Sequence, residues 1–197
     1  FDWRSIALGY RHIERQTAAG YALLPLASTE AQRDAWCRER FAVEAREEFE
    51  AHLVMAGRAG ELRCRFSGEP TTPIRPGRER GLVLLTPHYD SFFLGIAFLE
   101  RFGARMSPMS SGVTGDPRVE PAVSRYYRLK YEALARHLNG GRVLEMEQGV
   151  KPFYKLLNQG EVVIVLADAP VLPQGASMNV DFLGARRVLA GGALRMA

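Results

Sequence analysis

His88 and Asp90 stand directly after the apolar run Leu82–Thr86, in the stretch Leu82-Val83-Leu84-Leu85-Thr86-Pro87-His88-Tyr89-Asp90-Ser91. Histidine has the unperturbed pKa nearest neutrality, and a neighbouring carboxylate orients its ring or raises its basicity. The pair is a candidate general base with its supporting acid. Pro87 fixes the approach of the chain to His88. Asp168 repeats the placement after a second apolar run, Glu161–Ala167. In open α/β sheets ligands bind at the carboxyl ends of the strands, so both tips face one edge. Each residue has a plainer explanation as well. His88 is equally a ring satisfied by backbone at a strand end. Asp168 reads, on local sequence, better as a turn residue capping the loop 169–173. Ser91 lies close to His88, but no GxSxG elbow is present to aim a nucleophilic serine.

The elements that must position these residues follow from hydrophobic patterning. Gly81–Thr86 and Glu161–Ala167 read as buried strands, Ala104–Met109 as a weaker one, and Arg142–Met146 and Met178–Phe182 as two more. Between them, Ser91–Phe102, Val119–Leu138 and Val150–Leu157 read as helices, and a last helix starts at Val188. The face of the second carries Val123, Tyr127, Tyr131, Leu134 and Leu138. This alternation predicts an α/β fold, a mostly parallel central sheet flanked by helices with right-handed crossovers. N-terminal helices precede it. One covers Ile6–Leu26; the next starts at a Ser28 or Thr29 cap and runs to about Ala56. In that second helix Cys37, Phe41, Ala45, Phe49 and Leu53 form an apolar stripe, with Glu44, Glu47 and Glu48 among the residues covering the rest. Residues 1–66 thus form an N-terminal helical segment packing on the core. Residues 67–80 form a Pro/Gly-rich connecting loop, and 81–197 an α/β core cut at its C-terminus.

Composition narrows the function classes. A chain of 197 residues supports one sizeable core. Its net charge of +4 is compatible with anionic ligands, lipid surfaces or nucleic acid without choosing among them. Arg118, Arg125, Arg128 and Lys130 beside Tyr126, Tyr127 and Tyr131 suggest a nucleic-acid face, but helical spacing explains those tyrosines more economically as core. Cys37 and Cys64 form no CxxC, and the histidines have no HExxH spacing, so no metal site is expected. No GxGxxG or GxxxxGK[ST] is present. No apolar stretch reaches the roughly 18–20 residues that span a bilayer. Both termini read as cuts, so an anchor before Phe1 stays an open alternative.

Three segments in succession carry a resemblance. They are Leu82–Gly95 (LVLLTPHYDSFFLG), then Gly149–Val163 (GVKPFYKLLNQGEVV) leading to Asp168, then Asn179–Gly184 (NVDFLG) followed by Ala190–Ala193 (AGGA). From Gly81 to Ala197 the chain resembles the lysophospholipid acyltransferase-like superfamily, and within it the bacterial lipid A biosynthesis lauroyl/myristoyl acyltransferase branch. The resemblance implies a glycerol-3-phosphate acyltransferase-like fold. It implies transfer of a fatty acyl group from an acyl carrier protein or coenzyme A thioester to a hydroxyl of a lipid or glycolipid. No cofactor beyond that co-substrate is implied, and no nucleic acid. The implied place is a membrane surface, on the cytoplasmic side of the inner membrane, or the cytoplasm itself. The family places an acid five positions after its His, where this chain has Phe93, so Asp90 is the nearest substitute. An Arg is expected in the loop after the second strand; Arg118 stands there, displaced. The expected catalytic residues are His88 and Asp90, with substrate contacts from Ser91, Arg118, Asp168 and Arg187. Two alternatives accompany this reading: a non-catalytic relative that binds acyl chains or acyl carrier protein, and an acyl thioester hydrolase.

Overall fold

The computed structural model describes residues 15, 19–20, 29–63, 80–88, 90–168, 171, 175–182 and 184–196. The helix expected at 6–26, nearly all of the loop 67–80 and most of the loop after Asp168 lie outside the described residues. Helix α1 spans Glu30–Met55 and begins at a capping box. The Thr29 hydroxyl accepts the Gln32 backbone N–H at 3.3 Å, and the Gln32 side chain accepts the Thr29 N–H at 2.9 Å.

Four parallel strands follow: β1 (Leu82–Thr86), β2 (Met106–Ser110), β3 (Leu144–Glu145) and β4 (Val162–Leu166). Their order across the sheet is β1-β4-β2-β3. Parallel neighbours need crossovers. These carry α2 (Phe92–Phe98), α3 (Pro121–Ala135) and α4 (Lys151–Asn158). The architecture is the expected α/β sheet flanked by helices, with a helix before it.

Strand β4 runs through the centre and shows how the core divides. Val162 and Ile164 pack with Phe93, Ile96, Met106 and Leu134 on one face. Val163 and Val165 pack with Leu144, Phe153, Leu156 and Leu157 on the other. Successive side chains of a strand point to opposite faces, so a continuous apolar run is what a strand buried on both sides requires. β1 differs from the buried strand expected there. Among the described residues it pairs only with β4, and Leu85 is 52% exposed.

Two elements depart from expectation for physical reasons. The apolar stripe of α1 was expected at every fourth residue. A strict four-residue repeat advances about 40° per step around a 3.6-residue helix, so it spirals off the core-facing side. Phe49 is accordingly 64% exposed, while Ala51 and Val54 are fully buried. The inward face near that end carries Glu44, Glu47 and Glu48 instead. The helix expected from Val188 is strand β6 (Ala185–Ala190), paired antiparallel with β5 (Ser177–Phe182), and α5 begins only at Gly192 (Gly192–Met196). Gly184, at φ +73°, supplies the left-handed turn between the two strands.

Gly141 sits where the chain enters β3, so close to β2 that an added Cβ would lie 1.7 Å from the Met106 carbonyl oxygen. No side-chain motion relieves a clash with backbone. Gly141→Ala is expected to cost about 3 kcal/mol and to lower the melting temperature by about 6–12 °C. Thermal unfolding by circular dichroism checks this; a melting temperature within a degree of the parent would refute it.

Candidate active site

Parallel pairing of β1 with β4 sets Leu82 opposite Val162 and Thr86 opposite Leu166. The same register continues past the strand ends, where the Ala167 N–H donates to the Thr86 carbonyl at 2.8 Å. Two residues beyond Thr86 is His88; two beyond Leu166 is Asp168. Asp168 Oδ1 lies 2.9 Å from His88 Nδ1, and Oδ2 accepts the His88 backbone N–H at 2.9 Å. One carboxylate thus holds both the ring and the backbone of the histidine. A carboxylate at Nδ1 keeps a proton there and leaves Nε2 as the basic nitrogen. The His88 and Phe92 rings meet in a T-shaped arrangement, with centroids 4.9 Å apart and planes at 78°.

Asp90 turns elsewhere. Its φ of +50° is a left-handed conformation that Asp tolerates better than most residues. Its carboxylate forms an ion pair with Arg46 of α1. Both side chains are about half exposed, so the pair adds little stability but ties the turn to the helix. The carboxylate in contact with the imidazole is therefore Asp168 and not Asp90. Asp168 itself stands in a turn directly after β4.

His88, Asp90 and Asp168 line one cavity of about 990 Å³, walled by α1, α2, α3 and the carboxyl ends of the strands. Ile96, Met109, Val113 and Leu166 contribute apolar surface, and Lys130, Tyr127 and Tyr131 come from α3. Those three α3 residues face the cavity. The remaining expected substrate residues are not brought into the lining. Ser91 precedes α2 with its hydroxyl buried and without a hydrogen-bond partner among the described residues. Arg118 is paired with Asp116 at 2.6 Å and its side chain is 88% exposed. The Arg118 guanidinium holds the Asp116 carboxyl down to about 2. Arg187 lies on β6.

Phe93, at the position where the resemblance places an acid, is 2% exposed and part of the core. The Lys130 ammonium lies 5.1 Å from its ring centroid, within cation–π range. Lys130 is buried and donates to Glu48 at 3.1 Å, and Tyr126 also donates to Glu48. Burial, then the hydrogen bond to Glu48, pushes the Tyr126 phenol up; burial does the same to Tyr127 and Tyr131. Sequence reasoning missed Glu48 and Lys130 because neither has motif spacing. The only available signal was Lys130 falling on the apolar face of its helix, one residue before Tyr131.

Among the described residues no group of three or more His, Cys, Asp or Glu side chains is placed to hold a metal ion, and no helix is long and apolar enough to cross a membrane. A family model described as bacterial lipid A biosynthesis acyltransferase matches residues 21–197. The chain belongs to that family. No curated protein matches it. As a bacterial lipid A biosynthesis acyltransferase family member it is an acyl-group transferase by class, and the match extends beyond the resemblance at Gly81–Ala197 into the N-terminal helices.

The buried ammonium makes an asymmetric stability prediction. Glu48→Ala leaves Lys130 without its carboxylate and is expected to cost about 2 kcal/mol. Lys130→Met keeps the volume and strands only a half-exposed Glu48 that retains Tyr126, so it should stay within about 1 kcal/mol of the parent. Urea denaturation midpoints decide; equal losses would count against the asymmetry.

Proposed function

We propose that the chain moves a fatty acyl group from an acyl thioester, of acyl carrier protein or coenzyme A, to a hydroxyl of a lipid or glycolipid acceptor. The observation that carries the reading is the 2.9 Å contact between His88 Nδ1 and Asp168 Oδ1 at a cavity with apolar walls. With Nδ1–H held by Asp168, Nε2 accepts the proton of the acceptor hydroxyl. The oxygen attacks the thioester carbonyl carbon and a tetrahedral oxyanion forms. Its collapse breaks the C–S bond, and the imidazolium returns its proton to the departing thiolate. Asp168 holds the ring in the correct tautomer and faces the positive charge that the imidazolium carries. The apolar lining suits an acyl chain.

The family match supports an acyl donor and a lipid acceptor in general terms. A lipid acceptor, together with the net charge of +4, supports work at a membrane surface, peripherally on the cytoplasmic side of the inner membrane. Phe93 in place of an acid favours a second reading, a non-catalytic relative that binds acyl chains or acyl carrier protein. Turnover separates the two, and product analysis with water and alcohol acceptors separates transfer from thioester hydrolysis.

His88→Ala is expected to lower acyl transfer about 10²- to 10⁴-fold, and Asp168→Asn to a similar depth. Asp90→Asn leaves the partner of the imidazole in place and should stay within about threefold of the parent. Full activity in His88→Ala would sink the reading. A loss in Asp90→Asn as deep as in Asp168→Asn would return the supporting role to Asp90.

A further inference from the structure

The sheet face turned away from the cavity is covered by α4 and α5. Phe153, Leu156 and Leu157 of α4 and Ala193 of α5 pack there with Val163 and Val165 of β4. The outward side of the two helices is unlike an ordinary solvated face. Val150, Lys151, Tyr154 and Lys155 recur at helical spacings of three and four, so they stand side by side. The Tyr154 hydroxyl donates to the Arg195 carbonyl at 2.8 Å and joins α5 to the same surface, with Leu194 next in the chain. Val150 is 58% exposed and Leu194 61%, and Tyr154 is exposed with them. Lys151, Lys155 and Arg195 are exposed too, and among the described residues no ion pair reaches any of the three. Neither helix carries a carboxylate. Glu147, shortly before α4, turns to the loop at Gly112, where an added Cβ would lie 3.0 Å from its carboxylate.

We propose that this surface of α4 and α5 docks on an anionic lipid bilayer. The three cations complement lipid phosphates, and each cation near an anionic membrane surface adds attraction. Lysine stems lie along hydrocarbon while their ammonium groups reach the headgroups, and a tyrosine ring suits the same boundary. An acidic protein fits less well. Lysine is depleted from protein interfaces, which keep an apolar centre and a polar rim. Here Lys151 and Lys155 stand among the apolar side chains, one on each side of Tyr154 in the chain. The assignment rests on the membrane-surface reading above and names the face that makes the contact. α4 follows β3 at its carboxyl end, so its first turn stands at the sheet edge that carries His88 and Asp168. Docking through Val150 and Lys151 brings that edge to the bilayer that holds a lipid acceptor.

The test is co-sedimentation of the 197-residue chain with vesicles of phosphatidylglycerol and phosphatidylcholine, or of phosphatidylcholine alone. The parent should bind the anionic vesicles about tenfold better or more. Lys151→Gln/Lys155→Gln should lower that partition coefficient about 30-fold. Arg125→Gln/Arg128→Gln removes the same charge from exposed positions of α3 and should stay within about threefold of the parent. Leu194→Ser should weaken binding about tenfold, with the melting temperature unchanged. Equal losses in the two charge variants overturn the assignment, and so does a Leu194→Ser variant that binds like the parent. A Lys151→Gln/Lys155→Gln variant that keeps the vesicles but loses acyl carrier protein, read by surface plasmon resonance, overturns it in favour of a protein partner. A parent that ignores anionic vesicles counts against the membrane-surface reading and this assignment together.

Discussion

Everything at the site depends on the hydrogen-bonded pairing of two parallel strands. β1 and β4 lie side by side with Leu82 opposite Val162, and nothing interrupts that register before the chain leaves the sheet. The two residues after each strand are therefore placed by the ladder itself. Asp168 meets both the ring and the backbone N–H of His88 because the ladder delivers them side by side. Side chains held by secondary structure on two elements are more closely positioned than a His and an Asp sharing one short turn. The carboxylate at the imidazole stands two residues past β4, while Asp90 in the neighbouring turn is tied to Arg46.

Around this pair the cavity is built from unequal parts. Its sheet side is apolar, whereas α1 brings in carboxylates and α3 a buried ammonium. A buried ammonium is costly unless paired, and Lys130 is paired with Glu48 across α1 and α3. Phe93 adds to it by presenting a ring to the ammonium from α2. The position that the resemblance reserves for an acid has thus become part of the packing between three helices. The carboxylate that meets the His88 ring stands just past another strand, at Asp168.

Much of this was legible in the residues. The apolar runs at Leu82–Thr86 and Val162–Leu166 announced strands, and His88 and Asp168 at their tips announced an edge. The capping residue of α1 was legible too, within the choice of Ser28 or Thr29. What the sequence does not carry is which strands are neighbours, and in what register. Residues 88 and 168 are brought together by a pairing that periodicity cannot encode, so Asp90, close in sequence, looked the better partner. The inward carboxylates of α1 were hidden for a related reason. Glu47 and Glu48 look like solvent-facing residues until the cavity behind them is known. The segment Ala185–Ala190 became a strand because β5 was there to pair with it; β structure is more dependent on context than helix.

The alternation along β4 has one more consequence, for how this family can diverge. Val162 and Ile164 serve one core and Val163 and Val165 the other, and the same count of residues ends at Asp168. Deleting a single residue from this strand would exchange the two faces and draw Asp168 back by about 3.3 Å, out of reach of the imidazole. Packing and chemistry are thus counted on one ruler. A change of length within β4 would therefore disturb both at once, whereas the connections keep no such count.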